Sequence, residues 1–509
     1  MFLFQHSARR SSPARYYGSQ KPGRPGSVHG ARIRQDGAVK SSVAAVLALL
    51  VGAAMTVLTA VLCGGLGYFN RLAPWVFITP TIILWALFAG AILLLRRISL
   101  KPAMIIIFVG SLAIGGAALA GPPNASSDSA RYAWDGIVQD AGISPYRFVP
   151  VDDALAPLRP AWLFSTPTTD ADGMNHCPDA RRYLTTTIPS SEPICVAINR
   201  PTVPTIYPAA AEIYFAAIRF FVGPEVQFLP IQLTGLLLSV GTTVMLMLGM
   251  RRRGIDPRLA VFWAWCPFIG AEAINNAHVD ALGAIFVLSA TLLVSRGLRL
   301  RGGISIGVAI AAKLVPAIAV PALLRRQPWK VVVASIATFI VLYVPYVLAS
   351  GLAVIGFLPG YLTEEGYDSG DRFLLLSVLL PPAAALPVAV LLLLGTAIIV
   401  WTRTNPQSPW LGQLVMIGVT VLIASPRYPW YALLLIPFIA LSARWEWFIL
   451  PLVLTYRQFM PDQLGYQVAL AIAVVVVVSM ALYRTGPRGR SRLRHPLSLL
   501  KPWNQASHS

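Results

Sequence analysis

Long apolar runs alternate with short polar joints along most of the chain. A helix that crosses the hydrocarbon core of a bilayer needs about 20 apolar residues, and tilt or thinning allows about 17–25. The pattern therefore predicts an all-α polytopic membrane protein. The predicted crossings lie at about 43–68, 75–95, 102–120, 226–250, 258–273, 279–295, 330–350, 381–401, 408–424, 428–442, 446–457 and 464–483.

The segment 303–324 has basic residues at both ends, with Lys313 in its middle and Pro316 just after it. A lysine at mid-bilayer costs about 2.5–3.5 kcal/mol on insertion scales. Irregular backbone at membrane depth is tolerated only where it lines a water-filled cavity or is buried in protein. We therefore expect two short helices that meet at Lys313 beside such a cavity, which brings the total to about 14 transmembrane segments.

The polar joints alternate in the sign of their charge. The longest joint, 121–206, holds nine of the 21 acidic residues and no lysine, whereas arginines cluster in joints such as 251–253. Cytoplasmic joints of membrane proteins retain the cations. The pattern predicts a bacterial plasma-membrane protein with both termini in the cytoplasm and a large outer loop at 121–206. The stretch 207–221, which Glu212 and Arg219 interrupt, is predicted to be an amphipathic helix at the outer interface.

Composition agrees with this assignment, since 56% of the residues are hydrophobic and 12% are charged, against about 25% charged in soluble domains. The net charge of +20 would suit a nucleic acid, but the cations cluster at the ends of apolar runs, so no nucleic-acid partner is predicted. Residues 1–42 and 486–509 are predicted to be basic cytoplasmic tails, the first of them disordered, on either side of a membrane domain at 43–485.

Two of the four cysteines, Cys177 and Cys195, fall in the long loop. In an oxidising compartment this pair forms a disulfide, and two free thiols are the alternative.

Acidic residues near the start of the loop are candidates for catalysis, in the sequence SDSARYAWDG at 127–136. Asp128 follows the third apolar run by a few residues, where a carboxylate can accept a proton from a hydroxyl. Asp135 shares a helical face with Asp128 and is predicted either as a second catalytic carboxylate or as a cap of the adjoining glycine turn. Two residues between the acids are candidates for substrate binding or for pairing with them: Arg131 and Tyr132.

A second polar cluster lies at EAINNAHVD, 272–280, where His278 and Asp280 are predicted to contact substrate. Polar groups at membrane level are costly unless they are used. No metal site is predicted there, because histidine ligands are few.

Lys313 and Arg427 are the candidate cations. Their charges suit a lipid phosphate, and ion pairs with nearby acids are the alternative. Tyr428 is predicted either to form a sugar platform with Trp430 and Tyr431 or to belong to an interfacial aromatic belt.

Five stretches carry a resemblance to a known family: SDSARYAWDGIVQDAGISPYRF, NRPTVPTIYPAAAEIYF, NAHVDAL, AAKLVPAIAVPALLRR and SPRYPWYALLLIPF. Together they resemble the bacterial membrane glycosyltransferases of the C superfold, in particular the polyprenyl-phosphate-mannose-dependent mannosyltransferases of actinobacteria, related to glycosyltransferase family 87. The resemblance implies a transfer with inversion from a lipid-linked sugar donor, polyprenyl phosphate sugar, to a glycolipid or glycan acceptor on the outer face.

The resemblance also implies that an aspartate in the first large outer loop is the base, and that role maps to Asp128. The family often has two adjacent acids here, but Ser127 precedes Asp128 in this chain, so Asp135 stays a candidate. The insert at 150–198 departs from the family pattern. No cofactor is predicted, and a requirement for a divalent metal is left open.

Two other functions remain as alternatives. A transporter or lipid-linked sugar flippase fits the many crossings and the broken helix, although the long loop and the lack of an internal repeat favour an enzyme. The third interpretation is a non-catalytic partner that keeps the acidic loop for binding.

Overall fold

The fold of the protein is an all-α membrane architecture, as the sequence predicts. The computed structural model describes residues 28–485. The α-helices of this part are α1 (Val28–Ala60), α2 (Trp75–Leu95), α3 (Leu100–Ala117), α4 (Asp128–Asp140), α5 (Ala209–Arg219), α6 (Leu229–Arg251), α7 (Val261–Ala264), α8 (Asp280–Val294), α9 (Arg299–Ala312), α10 (Pro328–Ser350), α11 (Leu358–Glu364), α12 (Pro382–Arg403), α13 (Trp410–Ala424), α14 (Ile436–Ser442), α15 (Ile449–Phe459) and α16 (Gln463–Thr485).

Shorter helices join these elements. Two have π geometry, Val61–Gly65 and Ile269–Asn275. The 3-10 helices are Phe69–Arg71, Asp153–Leu158, Pro257–Ala260, Val315–Leu323, Gly351–Ile355, Pro429–Leu434 and Trp445–Phe448. Each run that the sequence predicts as a crossing contains helical structure.

Within the described residues, 7 helices are long and apolar enough to cross a membrane. The number is 8 if the helices Ile269–Asn275 and Asp280–Val294, which are bent by 108° relative to each other, form one broken span. The total of about 14 crossings stays a prediction, because several of the remaining helical segments are short.

The first helix begins at Val28 and not at about 43, so part of the predicted tail is helical. The predictions for 1–27 and 486–509 lie outside the described residues.

The irregular helices at 257–275 are buried in the centre of the bundle. The Trp265 indole donates to Ile107 O at 3.0 Å, and the Trp263 indole donates to Ser239 O at 3.0 Å. The Trp265 ring lies so close to Gly110 that an added Cβ would meet it at 2.2 Å. Glycine at 110 therefore lets α3 approach this buried segment.

The break that the sequence predicts at Lys313 is present. α9 ends at Ala312, Lys313 has extended backbone (φ −159°, ψ 140°), and the helix Val315–Leu323 follows. This places the lysine side chain at a helix end instead of along a continuous helix.

The long loop 121–206 contains α4 and five short strands that were not predicted: β1 (Phe164–Ser165), β2 (Thr168–Thr169), β3 (Asn175–His176), β4 (Tyr183–Thr186) and β5 (Pro193–Val196). All pairs are antiparallel; β5 lies between β1 and β4, and β2 pairs with β3. Cys177 and Cys195 form a disulfide with a Cα–Cα distance of 5.6 Å, which links the β3 end to β5.

α5 corresponds to the predicted interfacial helix, but its polar groups face inward. Glu212 and Arg219 are buried, at 0% and 2% exposure, whereas Phe221 just beyond the helix is 82% exposed. Both charged side chains of this helix therefore pack against the protein, and so does Phe215 of the same helix. The position of the helix at the outer interface stays a prediction.

We expect the double variant Cys177→Ser/Cys195→Ser to loosen the 178–194 segment. The bond closes a loop with a sequence separation of 18, for which the chain-entropy estimate is about 3 kcal/mol. Limited proteolysis with mass spectrometry should show faster cleavage within this segment. Wild-type protein under reductant should behave like the variant, and equal cleavage with and without the disulfide would contradict the prediction.

Candidate active site

A cavity of about 620 Å³ opens where the long loop meets the ends of several helices. Its wall combines charged groups with an apolar side. The charged lining residues are Asp128, Arg200, Lys313, Glu364, Arg427 and Arg457, and the apolar ones include Ile206, Leu314, Val315, Leu358 and Leu362. Such a surface suits a molecule with a charged head and an aliphatic chain.

Asp128 lies in the first turn of α4 and lines this cavity, with 13% of its side chain exposed. Its Oδ1 accepts a hydrogen bond from Asn199 Nδ2 at 2.6 Å, and its Oδ2 lies 3.6 Å from His278 Nδ1. Burial raises the pKa of the Asp128 carboxyl, but His278, Lys313 and Asn199 together outweigh it and hold the pKa below its ordinary value. The carboxylate is therefore ionised and faces the cavity.

His278 lies between two carboxylates and does not reach the cavity itself. Its Nε2 is 3.2 Å from Glu272 Oε2, and its side chain is fully buried. The ring stacks on Trp430 with centroids 3.9 Å apart and planes at 23°. A protonated imidazolium can form ion pairs with Asp128 and Glu272 together, although neither contact has hydrogen-bond geometry. His278 therefore contacts Asp128 from behind and does not line the cavity.

The asparagines beside His278 hold the backbone that leads to Asp128. Asn275 Oδ1 accepts from Asn124 N and Asn276 Oδ1 accepts from Ala125 N, both at 3.1 Å. Asn275 Nδ2 also donates to Ala118 O at 3.1 Å. The polar cluster predicted at 272–280 thus binds the start of the long loop.

Asp280 and Lys313 form an ion pair across the break in α9. Lys313 Nζ lies 2.5 Å from Asp280 Oδ2 and 4.8 Å from the centroid of the Tyr431 ring. Lys313 lines the cavity, whereas Asp280 is buried behind it. Asp280 therefore positions the ammonium for a ligand in the cavity.

Arg200 and Glu364 form a second ion pair in the cavity wall, which the sequence analysis missed. Arg200 Nε and Nη2 donate to Glu364 at 2.8 and 2.7 Å. Arg200 follows Asn199, which donates to Asp128. One short segment of the chain therefore contributes two residues to the cavity wall. The only sequence signal was the NRP of the stretch at 199–215, to which the sequence analysis assigned no role.

Arg427 lines the cavity, is exposed, and forms no ion pair within the described residues. Tyr428 stacks on Trp430 with centroids 4.6 Å apart and planes at 12°. Both rings and Tyr431 line the cavity. The three aromatic side chains therefore form one wall of the cavity, and the stack continues from Trp430 to His278. Their role as a sugar platform stays a prediction.

Besides His278 and Asp280, three predicted site residues do not line the cavity: Asp135, Arg131 and Tyr132. Arg131 Nε donates to both oxygens of Asp135 at 2.9 and 3.0 Å, and Tyr132 stacks on Phe215. These side chains are buried between α4 and α5. Asp135 lies about two helical turns further along α4 than Asp128, where Arg131, Thr205 and Glu212 surround it, so a ligand in the cavity does not reach it.

Asp135 belongs to a buried carboxyl pair with Glu212. Burial raises the pKa of Asp135 in spite of Arg131, and burial together with the Asp135 charge raises the pKa of Glu212 well above its usual range. Thr205 Oγ1 and Gln139 Nε2 donate to Glu212 at 2.8 and 2.9 Å. This cluster fixes the segment that precedes α5. Within residues 28–485, no group of three or more His, Cys, Asp or Glu is placed to hold a metal ion.

Residues 206–426 match the model of glycosyltransferase family 87. Over this range, which is less than half of the chain, the protein is similar to the membrane glycosyltransferases of that family. The matched range contains His278, Asp280 and Lys313, whereas Asp128 and Arg427 lie outside it. No curated protein and no solved structure matches the chain. The family match favours an enzyme over the transporter that the sequence alone left open.

We predict that His278→Gln raises the pKa of Asp128. The imidazole lowers this pKa against burial, so without it the carboxyl binds its proton at higher pH. Dicyclohexylcarbodiimide modifies protonated, shielded carboxyls, and mass spectrometry can follow labelling of Asp128 as a function of pH. Labelling should extend to higher pH in the variant. His176→Gln, in an exposed pair with Asp170, is the matched control, and an unchanged profile for His278→Gln would contradict the assignment.

Proposed function

We propose that this glycosyltransferase moves a sugar, mannose, from polyprenyl phosphate to a glycolipid or cell-envelope glycan. The reaction takes place on the outer face of the bacterial plasma membrane, with both termini in the cytoplasm. The observation that carries the proposal is the ionised Asp128 in a cavity that also holds cations and an apolar wall. The sugar and the lipid carrier are proposed from the sequence resemblance.

Asp128 acts as the general base. Its carboxylate takes the proton of the acceptor hydroxyl while that oxygen forms a bond with the anomeric carbon. Asn199 and His278 hold the carboxylate on both oxygens, so it is oriented before the acceptor arrives. Asp135, the other candidate, is buried behind α4, which supports Asp128 for the role.

The bond between the anomeric carbon and the phosphate oxygen breaks as the new bond forms. Polyprenyl phosphate leaves with the electron pair, and attack from the opposite side inverts the anomeric carbon. Lys313, Arg427 and Arg200 line the same cavity and meet the growing negative charge on the phosphate. The apolar side chains at 314–315 and 358–362 receive the first part of the polyprenyl chain.

We expect Asp128→Asn to reduce sugar transfer by about 10²–10⁴-fold, the usual contribution of a positioned base. The amide keeps the shape of the side chain but cannot take the proton. Transfer of label from polyprenyl-phosphate mannose in membranes measures the loss. Asp172→Asn, at an exposed position of the same loop, should keep wild-type activity. Normal turnover in Asp128→Asn, with loss in Asp135→Asn, would move the role to Asp135.

We expect Arg427→Gln to lower kcat/KM for the donor by at least about tenfold, because a hydrogen bond to a charged group contributes about 1.5–3 kcal/mol. The side chain forms no direct ion pair in the described structure, and its neighbour Glu364 keeps the ion pair with Arg200, so the substitution leaves no unpaired buried charge behind. The matched control is Arg147→Gln, an exposed loop arginine outside the cavity. Steady-state kinetics at varied donor concentration give the result, and an unchanged kcat/KM would remove Arg427 from the donor site.

A further inference from the structure

A second, smaller cavity of about 160 Å³ adjoins the first. The two cavities share Tyr68, Ser126 and Ser127 as wall residues. Ser127 directly precedes Asp128, so the small cavity opens beside the carboxylate and on the side of the β-rich insert. A ligand with one group at Asp128 can therefore extend another group into it.

Two adjacent arginines of the insert line this small cavity, Arg181 and Arg182. The Arg181 guanidinium lies over the Tyr68 ring, 5.3 Å from its centroid. Arg182 Nη2 donates to Ala161 O at 3.1 Å, whereas its Nη1 is buried without an acceptor. A buried donor without a partner is costly, which favours an acceptor atom supplied by a ligand.

The charge of the small cavity is not neutralised from within. The acid in its wall is Asp179, whose Oδ1 lies 3.8 Å from Arg71 Nη2. Neither Arg181 nor Arg182 is in an ion pair within the described residues. The net charge of the wall is therefore positive, and an anion is the ligand that it favours.

The fold holds both arginines in place. They precede β4, which pairs with β5, and the disulfide between Cys177 and Cys195 closes the segment that contains them. Trp162, another wall residue, donates from its indole to Pro224 O at 2.8 Å. The site is thus built before any ligand binds, which reduces the entropy lost on binding.

We propose that this cavity binds an anionic group, a phosphate or a carboxylate, that the acceptor carries next to the hydroxyl presented to Asp128. The inference rests on the proposed function and deepens it, because it makes the insert the acceptor side of the enzyme. The donor phosphate then occupies the opposite side, with Lys313 and Arg427. Acceptors with a negative charge are preferred over neutral sugars.

Binding of simple anions to the full chain tests this without any transfer reaction. The protein is held in phosphatidylcholine nanodiscs, and calorimetry measures Kd for dihexanoyl phosphatidylglycerol, inorganic phosphate, glucuronate and neutral methyl glucoside. Wild type should bind at least one anion saturably and methyl glucoside far more weakly. Arg181→Gln/Arg182→Gln should raise Kd for that anion at least about tenfold, since charge-assisted hydrogen bonds are the strong ones.

Three variants separate charge from folding. Arg181→Lys/Arg182→Lys keeps both cations and should bind within a few-fold of wild type, and Arg147→Gln should bind like wild type. If the double glutamine variant unfolds, Arg181→Gln alone decides, because the guanidinium of Arg181 lies against the Tyr68 ring and the fold depends on it less than on Arg182. Tighter binding of the lipid than of free phosphate or glucuronate assigns the anion to a lipid headgroup, and the reverse order assigns it to a soluble group.

Two results would overturn the inference: no preference of wild type for any anion over methyl glucoside, or an unchanged Kd in the glutamine variants. The outcome is independent of sugar transfer. If wild type binds anions through these arginines but transfers no sugar, the proposed function fails and the anion site remains. If transfer is intact and the arginines bind nothing, this inference fails alone.

Discussion

The site depends on amide groups that must find partners inside the protein. Asn275 and Asn276 are fully buried at the break between two helices. Their side-chain oxygens therefore need hydrogen-bond donors from another segment of the chain. Each accepts a hydrogen bond from the chain that leads to Asp128. An unpaired buried group would cost about 1–3 kcal/mol, so the break and the loop stabilise each other. The same break places His278 beside the Asp128 carboxylate. The packing of the helices therefore determines the pKa of Asp128, because His278 lowers it.

Features that depend on local sequence could be predicted. Apolar run lengths gave the helices, and α2 was predicted at 75–95, which is its range in the structure. The break at Lys313 followed from a charge inside an apolar run. Asp128, Lys313, Arg427 and Tyr428 were named from charge and position, and they line one cavity. A charge inside or beside an apolar run is informative because membrane insertion penalises each misplaced charge individually. The roles of these four residues stay predictions.

Features that depend on the packing of distant segments could not be predicted. Asn199 reaches Asp128 across 71 residues and Arg200 reaches Glu364 across 164 residues, and no periodicity encodes such pairs. Asp135 stayed a candidate base because its spacing from Asp128 does not show that α5 covers it. The burial of Glu212 was not predicted for the same reason. A partner for a buried charge is visible only once the helices are assembled.

The positions of the charged residues also explain how a partly apolar cavity can accommodate the charges that form during the proposed reaction. In the proposed reaction the acceptor proton neutralises Asp128 while the phosphate, as it leaves, gains a negative charge, so the total charge in the cavity does not change. Negative charge moves from the His278 side of the cavity to the side of Lys313 and Arg427. Lys313 is held by Asp280, whereas Arg427 forms no direct ion pair within the described residues and is more mobile in the proposed contact with the phosphate. A low-dielectric site favours this shift of negative charge from Asp128 to the phosphate. The charged side chains on both sides are already in place, so no solvent has to reorganise.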